Sequence, residues 1–237
     1  AAPANAYLAM QGVAKAFRAT TVIDGLDFSI ARSEFVSLLG PSGCGKTTML
    51  RMIAGLLQAD RGAILLDGTD ITRIPPHRRD VGVVFQNYAL FPHMTLRENL
   101  AFAAERLPRL ERHRRVNEML DTFRLTESAG RLPSAVSGGQ RQRIGIARAI
   151  ALQPKLIVCD EPVSALDVSI QAQVLNLLAE IQRDFGIAYV FVAHDLSVVR
   201  HISDHVAVMY LGKLMEVADQ ATLYTAPQHP YTHALLS

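Results

Sequence analysis

A segment of nine residues has the composition and spacing of a loop that binds phosphate groups. The segment GPSGCGKTT, residues 40–48, matches the pattern G-x-x-x-x-G-K-[ST]. Its glycines let backbone N–H groups turn inward around phosphate oxygens, Lys46 supplies positive charge to the β- and γ-phosphates, and Thr47 offers a hydroxyl to Mg²⁺. An apolar run at 34–40 precedes the segment and a helical pattern follows it, which disfavours a simple glycine turn. We therefore predict a nucleotide site that uses the whole segment: Gly40, Pro41, Ser42, Gly43, Cys44, Gly45, Lys46, Thr47 and Thr48.

Two adjacent acids end a later apolar run, LIVCDEP, residues 156–162. Asp160 is predicted at the carboxyl end of a strand, where open α/β sheets place ligand-binding groups. It can hold Mg²⁺ directly or through water, and Glu161 can act as a base that polarises an attacking water. Taken alone, the two acids are more simply interpreted as a solvated turn. In a chain with a phosphate loop, they are interpreted as a metal ligand and a catalytic base.

Three further residues could complete such a site, and each has an ordinary structural alternative. His194 ends the run IAYVFVAH, where it could contact the γ-phosphate, although a lone histidine is more often structural. Gln86 ends VGVVFQ, where its amide could reach the metal or the water. The spacing is equally consistent with an ordinary surface glutamine at a strand-to-loop junction. Phe17 lies among polar residues before the phosphate loop and could stack on adenine, or could be a core residue.

A second glycine-rich segment, AVSGGQRQRIGIARAI at 135–150, has the form of an anion site without a lysine. Ser137 is a good N-cap, and Gly138 and Gly139 let a ligand approach the backbone. The N-terminus of the helix that follows presents free N–H groups and the positive end of the helix dipole. No lysine lies beside these glycines and no strand pattern precedes them, so the segment leaves open whose phosphate it would hold.

The elements that position these residues follow from the hydrophobic pattern. Apolar runs at 34–40, 156–161 and 187–194 alternate with helical patterns, which predicts an α/β fold with a parallel sheet buried on both faces. Shorter strands, a helix and a late hairpin are predicted at 63–68, 81–86, 168–185 and 205–217. We expect one domain, 1–237, with a nucleotide-binding core of about 1–89 and 151–237 and a helical insert of about 90–150.

The composition limits the other functions that the chain could have. Its 237 residues suit one large domain. Its formal net charge of only +2 argues against electrostatic binding of nucleic acid as the main function. The arginine-rich stretch 106–115 is interpreted as a solvated helix face, because Glu105 and Glu111 interrupt it. Cys44 and Cys159 lack metal-ligand spacing, and no apolar run is long enough for a membrane helix. The chain has no initiator methionine and stops within a helical pattern, so we expect trimmed ends or a fragment.

The motifs occur in the order and rough spacing of ABC transporter ATP-binding subunits, which the chain resembles over nearly its whole length. The segments that carry the resemblance are GPSGCGKTT, Gln86, SGGQ, LIVCDEP, SALD at 164–167, and His194. SGGQ directly before a helix and upstream of the acidic strand is the most discriminating of them. The resemblance implies a P-loop NTPase core of mainly parallel sheet, an N-terminal antiparallel β subdomain and a helical insert. It also implies ATP and Mg²⁺ as cofactors.

The resemblance further implies how the site residues work. Two domains of this family dimerise head to tail, so that SGGQ of one faces the ATP held by the other. Asp167 would then lie at the dimer seam. The implied roles are catalysis by Glu161, His194, Gln86 and Lys46, metal binding by Thr47, Gln86 and Asp160, adenine stacking by Phe17, and contact with the partner's ATP by Ser137, Gly138, Gly139 and Gln140. Ser33 and Arg18 depart from the family pattern, because each stands where glycine is usual.

The subfamily signals point to two groups of importers. Residues 75–102 resemble importers of polyamines, iron or sugars, whereas 137–178 and 228–237 resemble oligopeptide and dipeptide importers. We expect an ATP-hydrolysing subunit that powers import, with peptides or related solutes as the first assignment and polyamine, iron or sugar as the alternative. The expected partners are a second ATP-binding subunit in a homo- or heterodimer, transmembrane permease subunits and, indirectly, a solute-binding protein.

The same resemblance implies a peripheral location on the cytoplasmic face of the cell membrane. A soluble ATPase of this family acting in translation or DNA repair is a more distant alternative, because such proteins commonly carry two cassettes or a long coiled-coil insert. A P-loop kinase would leave SGGQ and SALD unexplained.

Overall fold

The longest strands pair near the amino terminus in an antiparallel sheet. The computed structural model describes residues 6–164 and 166–237. Four strands form this sheet in the order β2-β1-β4-β5: β1 (Leu8–Phe17), β2 (Thr20–Ile30), β4 (Arg61–Leu66) and β5 (Thr69–Asp70). The predicted N-terminal antiparallel β region is confirmed.

A second sheet of six strands carries the ends of the chemical motifs. Its order is β10-β9-β3-β8-β7-β6, formed by β3 (Phe35–Leu39), β6 (Val81–Val84), β7 (Leu156–Asp160), β8 (Ala188–Val192), β9 (His205–Tyr210) and β10 (Lys213–Asp219). All neighbours pair in parallel except β9 and β10, which form the predicted antiparallel hairpin. Strands β3 and β8 are buried along their whole length, as their continuous apolar runs predict.

Eight α-helices complete the described part of the chain. They are α1 (Lys46–Ile53), α2 (Leu96–Ala103), α3 (Arg109–Thr122), α4 (Gly138–Ile150), α5 (Val168–Phe185), α6 (Leu196–Ile202), α7 (Gln220–Thr225) and α8 (Pro230–Leu236). The pattern predicted α5 to the residue, and Gly186 in the left-handed conformation ends it. Helices α2 to α4 lie within the predicted insert, whose separation as a subdomain stays a prediction. None of the described helices is both long enough and apolar enough to span a membrane.

The large sheet separates two hydrophobic cores, and the alternation of side chains along β7 shows how. Ile157 and Cys159 pack in one core with residues of α2 to α5, whereas Leu156 and Val158 pack in the other with residues of α1 and the antiparallel sheet. Successive side chains on a strand point to opposite faces, so each central strand serves both cores. The carboxyl ends of β3, β7 and β8 are thereby fixed next to one another.

Candidate nucleotide site

The phosphate loop runs from the end of β3 to the start of α1, and strand β9 lies directly beneath it. Gly40 has φ 153° and Gly45 has φ 111°. A Cβ atom at Gly40 would lie 2.1 Å from the Met209 carbonyl oxygen, and one at Gly45 would lie 2.9 Å from the Met209 methyl carbon. The close approach of the β9 backbone therefore requires glycine at Gly40, and the positive φ requires it at Gly45.

Lys46 is held by the loop itself. Its Nζ donates hydrogen bonds to the carbonyl oxygens of Gly40 at 2.7 Å and Pro41 at 2.8 Å, and the residue is only 5% exposed. The charge of Lys46 is thus satisfied by backbone dipoles and is fixed at the base of the loop. A cavity of about 250 Å³ lies over this loop, lined by Ser42, Gly43, Gly45, Lys46, Thr47, Thr48, Glu161 and His194.

Two oxygen donors suited to Mg²⁺ face each other beside this cavity. Thr47 Oγ1 donates to Asp160 Oδ1 at 3.2 Å. Burial raises the pKa of the Asp160 carboxyl, and the neighbouring Glu161 carboxylate raises it further, whereas the hydrogen bond from Thr47 lowers it. A divalent cation would relieve this unfavourable charge, so the pair fits a hard cation. The described residues contain no cluster of three His, Cys, Asp or Glu side chains that could hold a metal alone.

Glu161 and His194 are brought together by two adjacent parallel strands. Asp160 at the end of β7 lies opposite Val192 at the end of β8, and the Glu161 N–H donates to the Val192 carbonyl at 3.2 Å. Glu161 has φ 50°, a left-handed conformation that turns the chain at the end of the strand. Its Oε1 is hydrogen-bonded to His194 Nε2. The predicted base and the predicted strand-end histidine are therefore direct partners at the wall of the cavity.

Gln86 lies outside the lining of the phosphate cavity, although it is linked to Glu161 through one side chain. Strand β6 ends at Val84, two residues earlier than the predicted strand. Gln86 Nε2 donates to Ser164 Oγ at 3.2 Å, and Ser164 Oγ donates to the Glu161 carbonyl at 3.1 Å. Ser164 opens the SALD segment, of which Ala165 lies outside the described residues. Asp167, also in that segment, is the exposed N-cap residue of α5.

The SGGQ segment forms the N-terminus of α4 and stands apart from the phosphate cavity of its own chain. Ser137 Oγ accepts from the Gln140 N–H at 3.2 Å, and Gln140 Oε1 accepts from the Ser137 N–H at 3.1 Å, which is a complete capping box. A Cβ atom at Gly139 would lie 2.9 Å from a methyl carbon of Ile170, near the start of α5. Gly139 thus has a packing reason for its size, while Ser137 is exposed.

Phe17 is the last residue of β1 and does not line the phosphate cavity. Its side chain is 46% exposed, and Lys15 Nζ lies 5.6 Å from its ring centroid. An exposed aromatic ring rules out the alternative of a core phenylalanine. Arg18 and Ser33 both have left-handed backbone conformations, with φ 55° and 59°. These are the two positions at which the sequence departs from the usual glycine, so both non-glycine residues are held in a strained conformation.

Comparison with known proteins identifies the family. A family model described as ABC transporter matches residues 23–164, more than half of the chain. The chain belongs to the ABC transporter family of ATP-binding proteins. As a member of this family, it is an ATP-binding and ATP-hydrolysing domain.

Curated relatives of this ABC domain include subunits of two kinds of transporter. The oligopeptide transport ATP-binding protein AppF of Bacillus subtilis is 49% identical over 227 residues, covering 91% of this chain and 69% of that protein. The spermidine/putrescine import ATP-binding protein PotA of Acidothermus cellulolyticus is 44% identical over 230 residues, covering 94% of this chain and 60% of that protein. The chain thus spans about three fifths to two thirds of the length of these relatives.

Solved structures of ABC proteins share the fold. CbiO1 from Clostridium perfringens, described as part of the ABC transporter complex cbiONQ, superposes with a TM-score of 0.86 at 26% identity, over 94% of this chain and 92% of that one. The ATP-binding cassette MJ0796, a dimer in a post-hydrolysis state bound to ADP and Pi, superposes with a TM-score of 0.80 at 29% identity, over 90% of this chain and 98% of that one. The predicted P-loop NTPase fold is confirmed.

Two features of this ABC domain had no signal in the sequence. The bridge from Gln86 through Ser164 to Glu161 depends on how the loops that follow β6 and β7 fold against each other, and a serine in SALD has no distinguishing spacing of its own. The contact of Lys46 with its own loop carbonyls likewise follows from the loop conformation and not from the motif.

Proposed function

We propose that this chain powers solute import as the ATP-hydrolysing subunit of an ABC importer, with peptides or related solutes as the first assignment. One observation supports the catalytic part above all others: Lys46, Thr47, Glu161 and His194 converge on one cavity over the phosphate loop. AppF, the oligopeptide transport relative, supports the peptide assignment. PotA, the polyamine import relative, keeps spermidine-like solutes as the second candidate.

The cofactors in this proposal are ATP and Mg²⁺. Thr47 Oγ1 and Asp160 Oδ1, 3.2 Å apart, would hold the cation, and Gln86 would approach it from the end of β6. When bound, Mg²⁺ supplies positive charge that stabilises the phosphate oxygens. Lys46 would exchange its two loop carbonyl acceptors for the β- and γ-phosphate oxygens. Phe17, exposed at the end of β1, would stack on the adenine ring.

Glu161 and His194 would act on the water that attacks the γ-phosphorus. The Glu161 carboxylate would accept a hydrogen bond from that water and orient it, as a general base does. His194, bonded to the same carboxylate, would hold Glu161 in place and contact the γ-phosphate. Through the Ser164 bridge, a change in the position of Glu161 would be transmitted to Gln86 and from there to the permease.

The SGGQ segment would serve the ATP of a second copy or of a related subunit. Ser137 is exposed, and none of the four SGGQ residues lines the cavity of its own chain. The dimeric state of MJ0796 with ADP and Pi is consistent with such an arrangement. Ser137, Gly138, Gly139 and Gln140 would then present the N-terminus of α4 to the partner's γ-phosphate.

The remaining partners and the location follow from the transporter assignment. Transmembrane permease subunits would bind the domain, and a solute-binding protein would act indirectly through them. The domain would then be peripheral on the cytoplasmic face of the cell membrane. CbiO1, described as part of a transporter complex, is a structural precedent for a subunit of this kind.

Glu161→Gln tests the catalytic assignment. The amide cannot act as a base, so ATP hydrolysis should fall by roughly 100-fold or more while ATP binding stays near normal. The variant should also accumulate as an ATP-bound dimer, measurable by size-exclusion chromatography with radiolabelled ATP. Glu180→Gln, the same change at an exposed position of α5, should leave turnover unchanged. Normal turnover by the Glu161 variant would remove the residue from the mechanism.

A further inference from the structure

The segment that joins α7 to α8 is attached to β10 through a carboxylate. Glu216 lies on β10, and its two carboxylate oxygens accept the N–H groups of Gln228 at 2.8 Å and His229 at 3.0 Å. Burial disfavours the charge of Glu216, but the nearby Thr232 hydroxyl and the two N–H donors outweigh burial, so the pKa of Glu216 lies below its usual range. We call residues 220–232, which this carboxylate holds against the hairpin, the C-terminal brace.

One end of the C-terminal brace contacts the strand that lies beneath the phosphate loop. The Tyr231 ring stacks on the Tyr210 ring, with 4.4 Å between the centroids and 30° between the planes. Tyr210 is the last residue of β9, the strand that packs directly against the loop. Two residues later, the Gly212 N–H donates to the Cys44 carbonyl oxygen at 2.9 Å, within the loop itself. The stacked rings therefore stabilise the strand end and the turn that support the phosphate loop.

The other end of the C-terminal brace contacts the helix that follows His194. Tyr224, on α7, donates its hydroxyl to the carbonyl oxygen of Leu196, the first residue of α6, at 2.7 Å. Burial raises the pKa of the Tyr224 phenol, so the group remains a donor. The Arg200 guanidinium, one turn further along α6, lies 5.8 Å from the centroid of the Tyr224 ring. Tyr224 thus holds the first turn of α6, two residues beyond the histidine that is bonded to Glu161.

We propose that the C-terminal brace positions two walls of the nucleotide site, with Tyr231 holding the phosphate loop through β9 and Tyr224 holding His194 through α6. The brace acts on the site that binds and hydrolyses ATP, so this role rests on the proposed function. Neither tyrosine lines the phosphate cavity, and each is therefore a positioning residue that acts through an intervening element. Because a displacement of about 1 Å can slow a reaction about 100-fold, such contacts control binding and turnover without touching ATP.

The two ends of the C-terminal brace should affect different steps. The phosphate loop holds the β- and γ-phosphates in the ground state as well as during reaction, so a loosened loop weakens ATP binding. His194 holds Glu161, which acts on the attacking water, so a displaced His194 slows hydrolysis of ATP that is already bound. Loss of the Tyr231 contact should therefore change the Kd for ATP, and loss of the Tyr224 contact should change kcat.

Tyr231→Leu tests the contact with the phosphate loop. Removal of the ring should raise the Kd for ATP about fivefold or more, measured by equilibrium dialysis with radiolabelled ATP, while kcat at saturating ATP stays within about twofold. Tyr231→Phe keeps the stacked ring and should bind ATP as the natural chain does. His233→Leu, at an exposed position of α8, should change neither value. A natural Kd in Tyr231→Leu, or equal weakening in Tyr231→Phe, would overturn the proposal.

Tyr224→Phe tests the contact with α6 and removes a single hydroxyl. Release of phosphate at saturating ATP should slow about fivefold or more, while the Kd for ATP stays unchanged, which is the reverse of the Tyr231→Leu result. Tyr231→Phe is the matched control, because it loses the same hydroxyl on the other side of the C-terminal brace. Both phenylalanine variants should melt within about 3 °C of the natural chain, which shows that they fold. Natural kcat in Tyr224→Phe, or parallel changes of Kd and kcat in both tyrosine variants, would overturn the proposal.

Lys46→Ala separates failure of the C-terminal brace from failure of the proposed function. It should weaken ATP binding about tenfold or more, because the loop loses the charge that faces the phosphates. Loss of binding in Lys46→Ala together with natural Kd and kcat in Tyr231→Leu and Tyr224→Phe would overturn the brace and leave the phosphate loop as the ATP site. Natural ATP binding by Lys46→Ala would overturn the proposed site, and the role of the brace with it.

Discussion

At the scale of single residues, Asp160 shows most directly that the folded site disfavours the ionised carboxylate that cation binding needs. Its pKa is raised by burial and by the adjacent Glu161 carboxylate, and the Thr47 hydroxyl only partly compensates. With a folded pKa above the ordinary aspartate value, the carboxyl favours the folded state when protonated. That contribution is fully present below about pH 4 and is lost as pH rises through the folded pKa. Without a bound cation, the folded chain is therefore less stable against unfolding with Asp160 ionised than with Asp160 protonated.

Asp160→Asn should separate stability from function. At about pH 7.5, without nucleotide, the variant should melt roughly 2 °C higher than the natural chain, because a buried charge has been removed. The difference should shrink as pH falls towards about 4, where the natural carboxyl is protonated too. Hydrolysis of Mg-ATP should fall about 100-fold or more. Differential scanning fluorimetry across pH checks the first two points, with Asp184→Asn as the exposed control. A lower melting temperature for the Asp160 variant would contradict the assigned cost of its charge.

The residues that bear the chemistry were predictable where a strand positions them. Asp160 ends β7 as predicted, and the Glu161–His194 pair follows because two parallel strands end side by side. The conformations of the turns were not predictable. Glu161 at φ 50° and the bridge through Ser164 depend on loop packing that no local pattern records.

At the scale of elements, the far end of the phosphate-loop helix is held by one buried arginine. Arg79 is 7% exposed, and its guanidinium donates to the carbonyl oxygens of Met52 and Ile53, both at 2.7 Å, at the end of α1. It also donates to Ile74 at 2.7 Å and Thr72 at 3.0 Å. Burial lowers the pKa of this guanidinium. Because α1 carries Lys46 and Thr47 at its other end, Arg79 helps to fix the axis on which these two residues stand.

Arg79→Met should destabilise the chain far more than the same substitution at the adjacent Arg78. It would leave four carbonyl oxygens without this donor, at a cost of about 3 kcal/mol, which corresponds to a fall in melting temperature of roughly 10 °C. Arg79→Lys should recover only part, because an ammonium cannot reach all four oxygens. Arg78→Met, at the exposed neighbour, should shift the melting temperature by no more than about 2 °C. Equal shifts at 78 and 79 would refute the capping role.

The elements themselves were largely predictable, and their ends were not. Continuous apolar runs predicted β7 and β8, and the helical period predicted α5. The predicted strands at 81–86 and 187–194 ran two residues too far, because Gln86 and His194 lie in the loops that follow the strands, where Gln86 bonds to Ser164 and His194 bonds to Glu161. The short helices α6 and α7, which Asp195 and Asp219 cap, have too few residues to show a helical period in the sequence.

At the scale of the whole molecule, the phosphate loop and the SGGQ segment lie apart in the same chain. The phosphate loop opens on a cavity bounded by the ends of β7 and β8, and no residue of α4 lines that cavity. The N-terminus of α4 packs through Gly139 against the start of α5 and leaves Ser137 exposed. A helix N-terminus without a neighbouring lysine is an incomplete anion site, and in the proposed dimer the phosphate loop of the partner would supply that lysine. On this proposal, two chains placed head to tail would complete two sites, and one chain alone would complete none.

Cross-linking decides between these arrangements. Ser42→Cys in one preparation and Ser137→Cys in another, both in the Glu161→Gln background, should form a disulfide when mixed with ATP, because both serines are exposed and would face each other only across the proposed dimer. The product should run at about twice the 26.0 kDa of one chain on a non-reducing gel. Each variant alone should give none, since the native Cys44 and Cys159 are buried in both. A chain carrying both new cysteines should yield the same dimer band, because each of its cysteines pairs with the partner's. A disulfide confined to the monomer in that double variant would instead show that α4 serves the phosphate loop of its own chain.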